Sequence, residues 1–173
     1  MAANHISWLD ILVMHAACHC RFVAKSEIRH WPLVGALTTA GQSLYIERSS
    51  SRDALRVVHQ MAQALAQGDV LGVFPEARTG DGQRLWPFHG NLLQAAISVD
   101  APIQPVALQF VQADTLQPSS APLYLEDDSL LGSLWRTLCA PPLQVWVCYG
   151  QAQWARGRSR REWAQDLRQE ISD

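Results

Sequence analysis

The sequence predicts an α/β fold, in which a single domain holds a mixed, mostly parallel sheet flanked by helices. Short apolar runs of the buried-strand type alternate along the chain with segments of helical periodicity, a pattern typical of parallel sheets. The clearest pair is a helix over 51–67, with apolar residues at spacings of three and four, and a continuous apolar strand over 70–74. Because 173 residues suit one domain and can bury a substantial core, we expect one folded unit.

Local signals predict the remaining elements. Ser7 and Asp10 have the spacing of a capping box, which predicts a helix over 8–17 with no strand ahead of it. Pro32 suits the first turn of a second helix, which ends before Gly41. Further helices are predicted over 91–99, 130–138 and 160–171, and further strands over 21–24, 44–46, 103–110 and 143–149.

Composition excludes several classes of protein. The net charge is -2 and the pI is near 6.3, so the basic surface of a nucleic-acid-binding protein is absent. No run approaches the roughly 20 apolar residues that cross a bilayer, and the chain does not begin with the pattern of a signal peptide. The four cysteines lack C-x-x-C spacing, which favours reduced thiols. We therefore expect a chain that is soluble or peripheral to a membrane.

Charge is uneven near the C-terminus, where the last helix is predicted. We interpret the arginines there as solvated surface, and the alternative is a patch that faces anionic lipid headgroups. Trp163, Leu167 and Ile171 are spaced four apart and are expected to face the sheet, with the arginines on the outer face. A membrane contact through Trp154 and Trp163 is the second possibility. The arginines are Arg156, Arg158, Arg160, Arg161 and Arg168.

The first motif with chemical meaning is N-H-I-S-W-L-D over 4–10. Five residues of regular helix would separate His5 from Asp10 by about 140°, so the two can meet only if His5 precedes the helix. Asp10 would then bond one imidazole nitrogen and leave the other as a base for an external hydroxyl. The alternative is that Asp10 only completes the cap and that His5 is an ordinary loop residue.

Two further blocks place charge at strand ends. The strand over 44–46 leads into Arg48, a permanent cation suited to phosphate. The strand over 70–74 leads into F-P-E-A-R-T-G-D-G, and strand-end loops of this kind bind ligands in α/β proteins. Its spacing is not that of a nucleotide-binding loop, and an ordinary polar turn is the alternative. A fourth block over 101–108 is a strand with two prolines, to which we assign no chemistry.

These four blocks, in this order, resemble the motifs of the 1-acylglycerol-3-phosphate acyltransferase family of glycerolipid acyltransferases. The family pattern F-P-E-G-T-R corresponds to residues 74–79, and a V-P-I-x-P-V-like strand corresponds to the fourth block. The resemblance covers the chain from residue 4 onward. The pattern N-H-x-x-x-x-D is matched by Asn4, His5 and Asp10, and G-x-x-x-x-I-x-R by Gly41, Ile46 and Arg48.

The resemblance implies an enzyme that moves a fatty acyl group from acyl-CoA or acyl-carrier protein to a lysophospholipid hydroxyl. His5 would deprotonate the hydroxyl and Asp10 would orient the imidazole, with no metal, no other cofactor and no acyl-enzyme. Arg48, Glu76 and Lys25 would help to hold the glycerol phosphate. The acceptor expected by default is lysophosphatidate, and a lyso-ornithine lipid is the alternative. The implied location is peripheral, at the cytoplasmic face of the inner membrane.

Two departures from the family pattern stand out. Ala77 replaces the usual Gly, so Ala77 would be strained if that position needs a positive φ, and Arg78 and Thr79 stand where Thr and Arg are common. Substrate binding by Ala77 and Arg78 is therefore an expectation that cannot be carried over from the family. The His motif also lies at the very start of the chain. We therefore expect an acyltransferase domain over 1–173 that is truncated at its N-terminus, lacks the preceding strand and membrane-associating helices, and leaves an apolar sheet edge uncovered.

Three other functions compete with this interpretation. A zinc site is suggested by His15, Cys18, His19 and Cys20, with His at i and i+4 of a helix, although buried cysteine packing is the simpler explanation. A hydrolase would use the same His and Asp with water as the acceptor. A lipid-binding relative without catalysis is suggested by Ala77.

Overall fold

A computed structural model describes residues 1–30, 34–46 and 51–173 of the chain. The strands are β1 (Ala2–Ala3), β2 (Arg21–Lys25), β3 (Leu44–Ile46), β4 (Leu71–Gly72), β5 (Pro105–Gln112) and β6 (Leu143–Tyr149). The helices are α1 (Leu9–Ala17), α2 (Val34–Ala40), α3 (Ser51–Ala66), α4 (Leu93–Ser98), α5 (Leu130–Cys139) and α6 (Arg160–Ser172), and a 3₁₀ helix covers Ser26–His30. Every helix and strand predicted from the sequence is present in the described residues, with small shifts at the ends. The part of the second helix that contains Pro32 lies outside the described residues.

The sheet is mixed and mostly parallel, as predicted. Strands β3, β2 and β4 pair in parallel, β1 pairs in parallel with β5, and β6 pairs antiparallel with β5. A parallel bridge between Ala2 and Val73 joins the two halves, which gives the order β3-β2-β4-β1-β5-β6. The carboxyl ends of β1 and β4 therefore lie side by side, and the loops that follow them meet at one edge of the sheet.

The expectation of no strand before α1 is wrong. Ala2–Ala3 form β1 in the interior of the sheet, between β4 and β5. The Ala3 N–H donates to the Val73 carbonyl at 3.0 Å, and the Ala2 N–H donates to the Gln104 carbonyl at 3.0 Å. A two-residue strand gives no visible periodicity, and its pairing partners lie 70 and 100 residues away. The expected uncovered edge at this position is therefore filled.

Two apolar layers enclose the sheet. Ala2 and Ala3 point to opposite faces, as neighbours on a strand must, and each belongs to a different buried cluster. One cluster joins helices α3, α4 and α6 to the sheet, and the other contains Met14 of α1 together with Phe22 and Val106. In α6, Trp163 and Leu167 are fully buried and Ile171 is 9% exposed, which confirms the predicted stripe.

The buried face of α3 differs in part from the prediction. Met61 is buried as expected, but Leu55 is 71% exposed, and Val57 and Ala64 are buried instead. The apolar positions fit two overlapping helical faces, and packing against α4 selected one of them. Among the helices of the described residues, none combines the length and the apolar character needed to cross a bilayer.

Candidate active site

His5 and Asp10 are in contact, as the sequence predicts. His5 lies in the loop between β1 and α1, and Asp10 lies in the first turn of α1. The distance from His5 Nδ1 to Asp10 Oδ2 is 2.8 Å, and the Asp10 side chain is fully buried. Because a carboxylate only accepts hydrogen bonds, Nδ1 carries the proton and Nε2 is left as the basic nitrogen. The pair therefore has the geometry of a general base and the group that orients it.

Asp10 also fixes the backbone of the loop. Its Oδ2 accepts hydrogen bonds from the Ile6 N–H at 2.7 Å and from the Ser7 N–H at 2.9 Å, while the Ser7 hydroxyl accepts from the Leu9 N–H at 3.2 Å. Only half of the predicted capping box is formed, because the Asp10 carboxylate accepts from the Ser7 N–H but the Ser7 hydroxyl accepts from Leu9 and not from the Asp10 N–H. The residue before the helix, Trp8, has no side-chain cap. Asp10 thus holds the backbone before α1 and the imidazole of His5 with one side chain.

The loop after β4 holds the backbone of His5. The Glu76 Oε1 accepts from the His5 N–H at 2.8 Å, and the Gly80 N–H donates to the His5 carbonyl at 2.8 Å. The second Glu76 oxygen accepts from the Trp86 N–H at 2.7 Å. Glu76 is 3% exposed, and this burial raises the pKa of its carboxyl against the opposing effect of the two backbone hydrogen bonds. The loop over 76–86 is thereby tied to the first motif.

Aromatic stacking fixes the plane of the imidazole. The His5 ring lies parallel to the Phe74 ring, with centroids 4.1 Å apart, and Phe74 stacks on Phe22 at 5.4 Å. Phe74 follows β4 and Phe22 lies in β2, so two neighbouring strands of the sheet support the ring. Because both Phe rings are held by the core, rotation of the imidazole away from Asp10 is opposed sterically.

A cavity of about 270 Å³ opens beside His5, with Phe74 and Ala77 among its lining residues. The other lining residues are Ile11, Phe22, Val23, Ala24, Glu27, Ile28, Thr38, Val73 and Leu92. Most of this lining is apolar, and the volume is close to the lower end of the range for small-molecule sites. The imidazole therefore borders a cavity whose walls suit a hydrocarbon rather than a charged ligand.

Comparison with known proteins identifies the family. The sequence model of the family described as Acyltransferase matches residues 1–109, which is more than half of the chain and includes every contact made by His5. The chain belongs to the acyltransferase family.

Curated relatives of this acyltransferase-family chain carry two kinds of name. A 1-acyl-sn-glycerol-3-phosphate acyltransferase of Neisseria gonorrhoeae is 36% identical over 155 residues, covering 88% of this chain and 60% of that protein. A lyso-ornithine lipid O-acyltransferase of Pseudomonas aeruginosa is 34% identical over 169 residues, covering 98% of this chain and 64% of that protein. The chain thus spans about three fifths of the length of each.

A solved structure shares the fold. The crystal structure of the 1-acyl-sn-glycerophosphate (LPA) acyltransferase, PlsC, from Thermotoga maritima superposes with a TM-score of 0.64 and 19% sequence identity. The match covers 99% of this chain and 64% of that one. At this level of identity the similarity establishes the α/β fold alone.

The residues expected to bind substrate are distributed unevenly around the site. Ala77 lines the cavity and has a φ of 59°, so the strain expected at this position is present. Both oxygens of Glu76 are bound to backbone N–H groups, so its contacts in the structure are with the loop, and its expected part in holding the glycerol phosphate stays a prediction. Arg48 and the side chain of Lys25 lie outside the described residues, although the backbone of Lys25 belongs to β2.

Arg78 is placed on the outer side of the same loop. Its guanidinium carbon lies 3.5 Å from the centroid of the Trp86 ring, and its Nη1 lies 3.6 Å from Glu126 Oε1. The side chain is 48% exposed and is not part of the cavity lining. A role in phosphate binding would require Arg78 to exchange the Glu126 contact for the ligand.

Several supporting residues were missed in the sequence. Asn4 accepts from the Leu108 N–H at 2.7 Å and donates to the Leu108 carbonyl at 3.0 Å, which extends the pairing of β1 with β5 toward His5. Arg168 of α6 donates to the carbonyls of Leu85 at 2.7 Å and Trp86 at 3.1 Å. Its expected place on the outer face of α6 is therefore wrong. A role for Asn4 could have been inferred from the sequence, because it directly precedes His5 in the first motif. No feature of the sequence indicates the contact made by Arg168.

The zinc alternative lacks the geometry that it requires. Helix α1 ends at Ala17 and Cys18 is extended, so His15 and His19 do not lie one helical turn apart. Burial raises the pKa of the Cys20 thiol to about 11, which disfavours the thiolate that binds zinc. No group of three His, Cys, Asp or Glu side chains suited to a metal occurs in residues 1–30, 34–46 or 51–173.

Proposed function

We propose that this chain transfers a fatty acyl group from an acyl thioester, either acyl-CoA or acyl-carrier protein, to the hydroxyl of a lysophospholipid. The observation that carries the proposal is the 2.8 Å contact between His5 and Asp10 beside an apolar cavity. Membership of the acyltransferase family and the names of the curated relatives support the same reaction class. We infer peripheral action at a membrane surface from the lipid nature of the acceptor.

In the proposed reaction His5 is the general base. Nε2 accepts the proton of the acceptor hydroxyl as its oxygen attacks the carbonyl carbon of the thioester, while Asp10 stabilises the imidazolium that forms. The carbon–sulfur bond then breaks, the thiolate leaves, and the imidazolium returns the proton to it. The products are an ester and a free thiol, and neither a metal nor another cofactor is needed, because thiolate is a competent leaving group.

We propose separate places for the two parts of the substrate. The mostly apolar lining beside the imidazole suits the hydrocarbon of the acyl group. The headgroup of the acceptor needs polar partners as well. We propose Lys25 and Arg48, as the family resemblance implies, and Arg78 after its release from Glu126.

Two acceptors follow from the relatives. Lysophosphatidate is the first proposal, because the most similar relatives include a 1-acyl-sn-glycerol-3-phosphate acyltransferase. A lyso-ornithine lipid is the second, favoured by the relative that matches 98% of the chain. The altered loop with Ala77 and Arg78 also differs from the family's phosphate-associated pattern, which is consistent with another headgroup.

The test is an assay with acyl thioester and a panel of lysolipids, in which free thiol and lipid product are measured together. Transfer gives equal amounts of thiol and diacylated lipid, whereas thiol release with free fatty acid would indicate a hydrolase. Replacement of His5 by Ala should lower turnover by about 10²–10⁴-fold, the usual contribution of a general base. His59→Ala, on the exposed surface of α3, is the matched control. Turnover retained in His5→Ala would reject the mechanism.

A further inference from the structure

Helix α5 buries a serine on its inner side, where Leu130 and Leu134 are half-buried, and carries three large apolar residues on its outer side. Ser133 is fully buried, where its hydroxyl accepts from the Trp8 indole N–H at 3.2 Å and donates to the Leu123 carbonyl at 3.3 Å. On the opposite side Leu131, Trp135 and Leu138 are 77%, 71% and 70% exposed. Their spacing of four and three places them on one face of the helix. We call these three residues the α5 stripe.

The α5 stripe is attached to the loop that holds His5. Trp8, the partner of Ser133, lies between His5 and α1. The segment before α5 contacts the same loop, since the Tyr124 N–H donates to the Ile6 carbonyl at 3.1 Å. The Thr79 hydroxyl donates to the Tyr124 carbonyl, so the loop after β4 is joined to this segment as well. A partner bound to α5 would therefore adjoin the His5 loop.

Charge around the α5 stripe does not favour an anionic partner. Arg136 bonds both oxygens of Asp128, at 2.9 and 3.0 Å, and also donates to the Ala121 carbonyl at 3.1 Å. Glu126 is 83% exposed and Asp127 adjoins it in the chain. The surface is thus locally neutral to acidic, and it offers an anionic partner no attraction beyond apolar contact.

The size of the stripe argues against a protein partner. An aromatic side chain buries roughly 200 Å² and a leucine less, so three residues of which only one is aromatic offer well under about 600 Å². A stable protein interface buries about 800 Å² on each partner. Leu and Trp on one helical face, by contrast, are the residues with which peripheral helices enter the interfacial region of a bilayer.

We propose that the α5 stripe is a lipid-docking surface that inserts into the interfacial region of a bilayer and brings the His5 loop to the lipid surface. The lipid nature of the partner rests on the proposed function. Docking through apolar side chains should be insensitive to salt and should not require anionic lipid, because no unpaired cation adjoins the stripe in the described residues.

The test is sedimentation of the full chain with phosphatidylcholine vesicles. Replacement of Leu131, Trp135 and Leu138 by Ser should lower vesicle partitioning by at least about tenfold, since loss of 1.4 kcal/mol of apolar burial suffices for that change. Leu55→Ser, at an equally exposed leucine of α3, should leave partitioning unchanged. Unchanged binding of the triple variant would overturn the proposal. So would binding that needs anionic vesicles and disappears at high salt.

Activity and oligomeric state separate this proposal from its alternatives. The triple variant should retain transfer to a monodisperse short-chain lysolipid and lose transfer to acceptor embedded in vesicles. If the wild-type chain binds vesicles through α5 but transfers no acyl group, the proposed function fails and the docking surface stands. A dimer of the wild-type chain that the triple variant converts to a monomer would identify a second copy as the partner and reject the lipid.

Discussion

At the scale of the residue, the protein holds three hydrogen-bonding groups of His5. Its N–H is bound by Glu76, its carbonyl by Gly80 and its Nδ1 by Asp10. The stacked Phe74 ring fixes the remaining rotation. A base held in this way loses little conformational freedom when an acceptor binds, so the cost of ordering it has been met during folding.

Glu76 provides the first prediction at this scale. In Glu76→Gln the amide keeps one acceptor, but its NH₂ group must face the N–H of either His5 or Trp86. A buried donor without an acceptor costs about 1–3 kcal/mol, and we expect this loss in the free energy of unfolding together with reduced turnover. Denaturant titration and the transfer assay measure the two effects. Glu170→Gln, an exposed change, should stay within about 0.5 kcal/mol of the original chain; equal effects of the two changes would contradict the role of Glu76.

Ala77 provides the second prediction at the scale of the residue. Its φ of 59° is in the left-handed region, which costs an L-residue roughly 1–2 kcal/mol and costs glycine little. Ala77→Gly should therefore raise the free energy of unfolding by about 1 kcal/mol, after the larger entropy of the unfolded glycine is subtracted.

The control for Ala77→Gly is expected to change the free energy of unfolding in the opposite direction. Ala16→Gly, at an exposed position in the last turn of α1, should lower the free energy of unfolding by at most roughly 0.5–1 kcal/mol, the cost of glycine relative to alanine in a helix interior. Denaturant unfolding of the two variants compares them directly. A loss of stability in both would mean that Ala77 does not adopt the positive φ.

At the scale of the element, α5 and α6 bury opposite kinds of residue. Helix α6 begins with a capping box between Ser159 and Glu162 and buries Trp163, Leu167 and Ile171 against the sheet. Helix α5 buries Ser133 and exposes the three large apolar side chains of the α5 stripe. The first arrangement stabilises the fold by removing apolar surface from water, and the second leaves that surface available to a partner.

This contrast predicts unequal costs for the same substitution. Leu167→Ala should lower the free energy of unfolding by about 2–5 kcal/mol, because Leu167 is fully buried and its removal leaves a cavity. Leu131→Ala on α5 should change it by less than about 0.5 kcal/mol. Urea unfolding with a constant m-value is the measurement. A cost above 1.4 kcal/mol at Leu131 would show that the α5 stripe packs within the chain.

At the scale of the whole molecule, the C-terminal helix supports the site through the loop over 76–86. Arg168 bonds the carbonyls of Leu85 and Trp86, Trp86 bonds Glu76, and Glu76 bonds His5. The start of α6 also packs closely against Gly90. A Cβ atom added at Gly90 would lie only 2.4 Å from the carbonyl oxygen of Arg160. The family match ends at residue 109, so this chain of contacts joins the matched region to the part beyond it.

We predict that Arg168→Ala lowers kcat more than it raises the KM for the thioester. The loop would lose two hydrogen bonds and Glu76 would position His5 less well, while the cavity walls would remain. Arg168→Lys should recover only part of the rate, because an ammonium lacks the fork that bonds both carbonyls. The kinetic constants of both Arg168 variants are measured at temperatures well below those at which the variants unfold.

The comparison for Arg168 is Arg161→Ala, at an exposed position of the same helix. It should leave both kinetic constants unchanged. If the Arg168 variants keep full kcat while folded, then the loop is held without α6 and the proposed coupling is absent.

The sequence alone determined the order of helices and strands, the parallel character of the sheet and the meeting of His5 with Asp10. These depend on local signals: apolar periodicity, the Ser7 cap and the distance of five residues between the two side chains. The strain at Ala77 was also predictable, because a single position departs from a motif that otherwise matches.

Tertiary structure alone decided the place of β1 in the sheet, the role of Glu76 and the contact of Arg168 with the loop. Each depends on groups that lie about 70 to 100 residues apart in the chain. In addition, the sequence does not distinguish a glutamate that binds backbone N–H groups from one that faces a ligand. The outward face of α5 was also hidden, because periodicity identifies an apolar stripe but does not state which side of the helix meets the protein. The position of the rest of the chain sets that side, through packing rather than propensity.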